Sequence, residues 1–467
     1  MRMRWKTRTT LAATTAVTLI AAGTALAAPG AADAAAGAAP GTQVSGKLAD
    51  GTSWIAEYPK NWNGTLILYS HGFGPLVALD APNAATQAAL LAQGYALAGS
   101  SYDPTGSIWA LDTAVSDQFG SLTAVESTVL PSAPRHVIAM GSSMGGLISA
   151  LEAQQGQGEI DGALTTCGLV GGGINLNEYQ IDGEYAIAQL LGDPSTQLVG
   201  FGTPATALGT AAALTADAAK AQATTAGRAR LALAMAFLNV TPWVKTAATP
   251  VPDSDPAAQE AAQYGVLFNG AAPTIIQFIE LGRVSIDQAD GGQATWDVGT
   301  NFAQVLAHSP FRDEVAALYR AAGVNLRADL ATLAAKTSIK ADPAAVRSLD
   351  QTSVPTGQLE VPELDLHTIG DNLVPVQNEN YYRNLVDRAG SGELLRQAYT
   401  ESFGHCNFSV SELVAGVQAV LQRVTSGHWG DVATAASLEQ AAADLNLGAA
   451  HFTRYRPGEL TGAVSSR

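Results

Sequence analysis

Hydrophobic and polar positions follow two different periods along the first third of the chain. Residues 44–58 alternate at period two around Asp50 and Gly51, which is typical of a β-hairpin with a tight turn. Beyond them, short apolar runs take turns with helical patterns. We predict strands at 65–70, 95–100, 136–140 and 161–167, and helices at 84–93, within 113–129 and after residue 143. This alternation is typical of a mostly parallel α/β sheet.

The pattern changes at about residue 172. From there to residue 357, strand-like sequence is nearly absent and alanine-rich helical stretches dominate. Strand and helix patterns then return, at 361–369, 378–388, 395–400 and 409–424. The block could be an independent helical domain, but an insertion within one α/β domain also explains both of its flanks. We therefore predict an α/β core at 43–171 and 358–426, a helical cap at 172–357 and a C-terminal tail at 427–467.

The amino terminus has the three parts of a secretory signal peptide. Four basic residues lie among the first eight, an apolar run covers about residues 11–22, and small-residue sites follow at Ala27 and Ala34. A membrane anchor is the alternative, but the run is shorter than the roughly 20 residues that a spanning helix needs. We predict that residues 1–34 direct secretion, with cleavage after either alanine, and that no later segment spans a membrane.

The charge balance narrows the choice of partners. The formal charge is −16, and removal of residues 1–34, which hold four positive charges and one negative, leaves −19. Such a balance argues against nucleic acid or anionic lipid as a partner. The sequence lacks a G-x-x-x-x-G-K-[ST] loop and Cys/His clusters with zinc-ligand spacing, and the glycines at 171–173 are not a dinucleotide fingerprint. No cofactor or metal is expected.

The most informative motif is Gly141-Ser142-Ser143-Met144-Gly145, between the strand pattern at 136–140 and a helical pattern. A serine hydroxyl is a poor nucleophile at neutral pH. A protein that uses one presents it on a sharp turn between strand and helix, where a base and oxyanion donors can reach it. Glycines at both ends let strand and helix pass closely. A sequence with 47 glycines can contain the pattern G-x-S-x-G by chance, so the context is what makes Ser143 the candidate nucleophile.

Three further motifs follow predicted strands. His71-Gly72-Phe73-Gly74 comes directly after the strand at 65–70, Gly370-Asp371 ends a strand, and Gly404-His405 precedes the last predicted helix. With these motifs and the Ser, Asp, His order, the chain resembles α/β-hydrolase-fold serine hydrolases over about 43–171 and 361–425. The resemblance implies a mostly parallel sheet flanked by helices, with the helical cap inserted before the strand that carries the catalytic acid.

The resemblance also implies roles, which agree with what acyl transfer requires. Ser143 attacks the carbonyl carbon, and His405 takes its proton and returns it to the leaving group. Asp371 holds the imidazole in the useful tautomer and stabilises the imidazolium. The backbone N–H groups of Phe73 and Met144 are the natural donors to the oxyanion.

Each assignment has an alternative. Asp365 lies on the same predicted strand as Asp371, but it falls inside the alternating run and is expected to face outward. His428 and His451 also follow Asp371, although neither is framed by a strand and a helix. His71 precedes the serine and lies where the structural histidine of the family's oxyanion loop is found.

The chain has two cysteines, Cys167 and Cys406. Cys167 ends the strand after the nucleophile helix and Cys406 follows the proposed base, so both are expected at the carboxyl edge of the sheet. In a secreted protein this placement favours a disulfide, and two separate buried thiols are the alternative.

Three functions fit the sequence. The first is a secreted carboxylic-ester hydrolase, without cofactors, that acts on a small-molecule or polymeric ester. Apolar cap residues at 267–268 and 275–278 could line its acyl pocket, although packing of the cap helices on one another is the favoured interpretation for most of them. The second is an aminopeptidase-like amide hydrolase, which needs cap carboxylates for the substrate's amine; Glu178, Asp182 and Glu184 are candidates. The third is a non-catalytic binding protein, against which the complete triad argues.

Overall fold

The computed structural model describes residues 42–156, 158–245 and 250–464. A nine-stranded sheet with the order β1-β2-β4-β3-β5-β6-β7-β8-β9 forms its centre. Strands β3 to β8 run parallel, whereas β1, β2 and β9 are antiparallel to their neighbours. The strands are β1 Thr42–Lys47, β2 Ser53–Tyr58, β3 Thr65–Ser70, β4 Ala96–Ser100, β5 His136–Ser142, β6 Gly162–Thr166, β7 Glu363–Gly370, β8 Leu395–Phe403 and β9 Phe452–Thr453.

Helices cover both faces of the sheet, because successive strand residues point to opposite sides. In β3, Leu66 and Leu68 pack on the face that holds α2, α3 and α13, while Ile67 and Tyr69 pack on the face that holds α1 and α14. The predicted mostly parallel α/β sheet is confirmed. These helices are α1 Ala84–Ala92, α2 Ala114–Thr128, α3 Met144–Gln155, α13 Asn378–Ala389 and α14 Val410–Ser426.

Nine further helices among the described residues lie between β6 and β7, and we call them the helical block. Several of them begin with a residue type that commonly caps helices, followed by proline. The side chains of Thr203, Asp255 and Asp342 each accept a hydrogen bond from an N–H of the first helical turn. The block has a hydrophobic core of its own. Its helices are α4 Gly172–Leu191, α5 Pro204–Ala221, α6 Thr225–Phe237, α7 Pro256–Phe268, α8 Ile275–Ala289, α9 Phe302–His308, α10 Arg312–Ala322, α11 Leu326–Lys336 and α12 Pro343–Ser353.

The C-terminal segment has more structure than its pattern indicates. Helix α15, Ala435–Leu445, packs on α14, and β9 joins the edge of the sheet. The polypeptide then reaches the helical block, where Asn239 and Thr461 exchange two hydrogen bonds of 2.9 and 3.1 Å. A strand of two residues is too short to show a period, and a contact between residues 222 positions apart has no signal in the local sequence. This part of the fold could therefore not be predicted.

The expectation that Asp365 faces outward is wrong. Its exposed fraction is 1%, and Glu363 and His367 of the same strand are fully buried. Strand β7 lies between β6 and β8 with helices on both faces of the sheet, so alternation along it does not separate core from solvent.

The predicted signal peptide, residues 1–34, lies outside the described residues. Within the part of the chain that is described, none of the helices combines the length and the apolar character needed to cross a membrane.

Candidate active site

Ser143 occupies a sharp turn between β5 and α3. Its backbone has φ 62° and ψ −124°, a conformation that strains a residue with a side chain. The flanking glycines are needed for space: a Cβ on Gly141 would collide with the Gly145 carbonyl, and one on Gly145 would collide with the Ser70 carbonyl. The strained turn presents Ser143 at the carboxyl end of the central strand.

The neighbouring Ser142 is held away from this role. The Thr166 hydroxyl donates to the Gly141 carbonyl at 2.8 Å. The 2.8 Å contact between Ser142 Oγ and Thr166 Oγ1 is therefore donated by Ser142. With an exposed fraction of 9%, Ser142 is buried and hydrogen-bonded between β5 and β6.

The structure brings Ser143, His405 and Asp371 together in one hydrogen-bonded chain. Ser143 Oγ lies 2.8 Å from His405 Nε2, and His405 Nδ1 lies 2.8 Å from Asp371 Oδ2 and 3.1 Å from Oδ1. A carboxylate accepts, so Nδ1 carries the proton and the Nε2 lone pair faces the serine hydroxyl. This is the tautomer that can take a proton from Ser143.

Backbone and side-chain donors hold the acid and the base in place. Asp371 Oδ1 accepts the N–H groups of Leu373 and Val374, both at 2.8 Å. The N–H of His405 donates to Asn372 Oδ1 at 2.9 Å. The loops after β7 and β8 are thereby tied to each other.

Asp371 is fully buried, yet its environment keeps it ionised. Burial alone would raise the pKa of this carboxyl, but His405, His367 and the Leu373 N–H favour the charged form, so that the pKa lies below its usual value. A charged Asp371 can stabilise an imidazolium at His405.

The predicted oxyanion donors flank Ser143. Met144 is the first residue of α3, so its N–H has no partner within the helix. Gly72, which precedes Phe73, lies close enough that a Cβ there would be 3.6 Å from Ser143 Oγ. His71 stacks on Tyr102 at 4.3 Å, and the Tyr102 hydroxyl donates to the His71 carbonyl at 2.9 Å. His71 thus braces the loop from the core, and the donor roles of Phe73 and Met144 stay a prediction.

An apolar cavity of about 40 Å³ opens beside Ser143. Gln180 is the polar side chain that joins Ser143 in its wall. Phe278 meets Phe73 edge-on at 5.4 Å across the cavity. Of the apolar residues at 267–268 and 275–278 that the sequence offered for this pocket, Phe278 lines the cavity. The remaining lining residues are Trp109, Leu169, Leu176, Ile279, Gly282, Ile286, Leu373 and Val374.

The strand order and the positions of the three polar residues decide the fold. Ser143 follows β5, Asp371 follows β7 and His405 follows β8, on the parallel part of the sheet. The chain has the α/β-hydrolase fold. The resemblance to serine hydrolases of that fold is confirmed.

A known enzyme is similar to this chain over most of its length. The chain is 29% identical over 418 residues to an o-phthalyl amidase of Xanthobacter agilis, and the match covers 83% of this chain and 88% of that protein. No protein-family model matches the chain.

Solved esterase structures are similar to this chain at low identity. Feruloyl esterase B from Aspergillus oryzae matches at 15% identity with a TM-score of 0.38, over 82% of this chain and 80% of that one. An esterase from Pyrococcus furiosus matches at 10% with a TM-score of 0.39, over 84% and 91%. Likeness at this level carries no information about substrate.

Cys167 and Cys406 form a disulfide, with Cα atoms 5.3 Å apart. Among the described residues, these two cysteines and His405 are also the one group with metal-ligand spacing, but the sulfurs are bonded to each other. The bond ties the end of β6 to the residue that follows His405. The disulfide therefore anchors the loop that presents the proposed base.

We expect loss of this bond to weaken both the fold and the site. Cys167 and Cys406 are 239 residues apart, and closing a loop of that length stabilises a fold by up to about 5 kcal/mol in the chain-entropy model. The double serine variant should show a lower free energy of unfolding and a slower reaction at Ser143. Mass spectrometry of a non-reduced digest should find the joined peptide pair, and alkylation of both thiols in denatured, unreduced protein would contradict the bond.

The alternative residues for the triad and for amine binding lie elsewhere in the structure. His428 and His451 are exposed on the C-terminal segment. Glu178, Asp182 and Glu184 are buried on α4, and none lines the cavity at Ser143. Glu184 pairs with Arg283 at 2.7 Å, and Glu178 accepts the Trp296 N–H at 3.0 Å. The structure does not bring these carboxylates to a position where they would hold a substrate's amine beside Ser143.

Proposed function

We propose that this chain is a secreted serine hydrolase that cleaves carboxylic esters through an acyl-enzyme on Ser143. The observation that carries the proposal is the unbroken series of hydrogen bonds from Ser143 Oγ through His405 to Asp371. The basic and apolar amino terminus and the disulfide support secretion.

In the first half of the reaction, Ser143 Oγ attacks the ester carbonyl carbon while its proton moves to His405 Nε2. The carbonyl oxygen becomes an oxyanion that accepts hydrogen bonds from the Phe73 and Met144 N–H groups. The intermediate collapses, the carbon–oxygen bond to the alcohol breaks, and His405 returns the proton to that oxygen. Asp371 stabilises the imidazolium between these two transfers.

In the second half, water replaces the alcohol. Its oxygen attacks the acyl carbon and its proton passes to His405 Nε2. Collapse of the second intermediate breaks the bond to Ser143 Oγ, and His405 gives the proton back to the serine. The carboxylic acid leaves and the resting hydrogen bonds are restored.

The helical block shapes the acyl side of the site, which supports its role as a lid. Helices α4 and α8 supply Leu176, Gln180, Phe278, Ile279 and Ile286 to the cavity wall. These side chains leave a cavity of about 40 Å³. An apolar cavity that holds benzene has roughly 150 Å³, so a short acyl group fits this one best.

We expect p-nitrophenyl acetate to react faster than the octanoate, and Phe278→Ala to reduce the difference. Removal of this ring opens the cavity toward α8, so the ratio of kcat/KM for octanoate to that for acetate should rise by at least about tenfold. Tyr264→Ala is the matched control, because Tyr264 pairs with Phe268 in the helical block and does not line the cavity. An unchanged ratio in Phe278→Ala would contradict the role of the helical block as a lid.

Amide hydrolysis is the second candidate, and the 29% identity to an o-phthalyl amidase favours it. The same triad cleaves amides, with His405 protonating an amine in place of an alcohol. Kinetics on a matched pair with the same short acyl group, p-nitrophenyl acetate and acetyl-p-nitroanilide, separates the two. Turnover of the ester alone supports the ester hydrolase, whereas comparable kcat/KM on the anilide establishes the amidase.

A further inference from the structure

A second imidazole lies against Asp371, and the mechanism above does not use it. His367 is fully buried on β7, four residues before Asp371. Its Nε2 lies 3.0 Å from the Val374 carbonyl oxygen and 3.6 Å from Asp371 Oδ2. Its Nδ1 lies 2.8 Å from Glu379 Oε1 on α13. Both ring nitrogens therefore have a partner on a different segment.

The contacts determine where the ring carries a proton. A carbonyl oxygen only accepts, so His367 Nε2 is protonated and donates to Val374. The same N–H edge faces the Asp371 carboxylate. Glu379 holds the other nitrogen and is itself fixed by Gln397, whose amide donates to Glu379 Oε2 at 2.7 Å and to the Glu379 carbonyl at 2.8 Å. The ring cannot turn its Nε2–H away without breaking this set of bonds.

Other titratable groups surround the pair from every packed element. They are Glu363 and Asp365 on β7, Tyr382 and Arg383 on α13, Tyr399 on β8, Tyr179 on α4, and His405 after β8. Burial raises the pKa of Glu379 to about 7 and of Glu363 to about 8, and it raises the pKa of Asp365 well above the usual range. Below pH 7, where the acid limb of the rate lies, these three acids mostly hold protons, whereas Asp371 is ionised beside His367.

We propose that His367 is a positioning residue for the hydrolytic reaction: its Nε2–H, held in place by Glu379, orients Asp371 and keeps that carboxylate ionised for His405. The proposal rests on the function proposed above, because it assigns work to Asp371. It differs from a purely structural role, in which His367 only ties β7 to α13 and its loss lowers stability without changing the pH dependence of the rate.

Two variants with amide side chains distinguish the role of His367 Nε2 from that of Nδ1. In His367→Gln the amide nitrogen can reach the Nε2 position, whereas in His367→Asn it reaches only the Nδ1 position. We expect the glutamine variant to keep the parent pH profile. In the asparagine variant the N–H beside Asp371 is lost, so the potential at His405 becomes more negative and favours the imidazolium.

The acid limb of kcat/KM for p-nitrophenyl acetate should then move to higher pH in His367→Asn, by about 0.5 pH unit or more. Its kcat should fall by at least about tenfold, because Asp371 Oδ2 loses the neighbouring N–H while only Oδ1 stays fixed by the Leu373 and Val374 N–H groups. Glu379→Ala frees the ring from the other side and should move the limb in the same direction. If His367→Asn does not fold, the acid limb of Glu379→Ala tests the proposal in its place.

Glu363→Gln is the matched control, because it removes a buried carboxyl on the same strand that contacts Thr165 and Tyr382 and not His367. It should keep the parent profile. A parent-like acid limb in the folded variants His367→Asn or Glu379→Ala overturns the proposal, as does an equal shift in His367→Gln and His367→Asn. These outcomes are distinct from failure of the proposed function, which would appear as unimpaired turnover by Ser143→Ala.

Discussion

Ser143→Ala is expected to lower kcat for p-nitrophenyl acetate by roughly 10⁵-fold or more, because loss of a triad nucleophile removes covalent catalysis altogether. The residual rate would come from the oxyanion donors and binding alone. Burst and steady-state kinetics on purified protein measure the loss. The fold should be unaffected, since the change removes one oxygen at a half-buried position.

Ser142→Ala is the matched control for this variant. Ser142 hydrogen-bonds to Thr166 and is buried between β5 and β6, so its loss should reduce stability slightly and leave turnover near the parent value. Ester turnover by Ser143→Ala within about tenfold of the parent would show that the covalent mechanism is wrong.

Asp371→Asn is expected to lower kcat by roughly 10⁴-fold at neutral pH. The amide keeps the shape of the carboxyl, but its NH₂ group cannot accept from His405 Nδ1. The imidazole then adopts the tautomer with the proton on Nε2, which cannot take a proton from Ser143. Steady-state kinetics and thermal unfolding of the same preparation separate this effect from loss of fold.

Asp387→Asn makes the same chemical change at an exposed position of α13 and should leave kcat unchanged. If Asp371→Asn keeps kcat within about tenfold of the parent while it remains folded, another residue supplies the acid. Asp365 is the nearest rival on β7, but it is enclosed by the core and lies well before the carboxyl end of the strand.

Local periodicity accounts for much of the fold. The strand at 65–70 and the hairpin with Asp50 and Gly51 at its turn are predictable because each has a period and a boundary signal within a few residues. Parallel strands place their carboxyl ends at one edge of a sheet. That rule is why Ser143 and His405, which are 262 residues apart, could be expected to meet.

The parts that resisted prediction depend on long-range packing. Helix α13 covers β7, which buries Asp365 and brings Glu379 to His367. The pattern of residues within β7 does not show that this helix lies there. Gln180 reaches the cavity because α4 packs against α3 and the loop after β7. The contact of Thr461 with Asn239 spans 222 residues and likewise has no local signature.

Covalent labelling tests the central claim most directly. The protein is treated with a fluorophosphonate probe, digested, and the modified peptide is sequenced by mass spectrometry. The adduct is expected on Ser143 in the parent, with Ser142 unmodified, and labelling should slow greatly when His405 is changed to alanine because the hydroxyl then lacks its base. An adduct on Ser142, or full loss of ester turnover with Ser143 unmodified, would contradict the assignment.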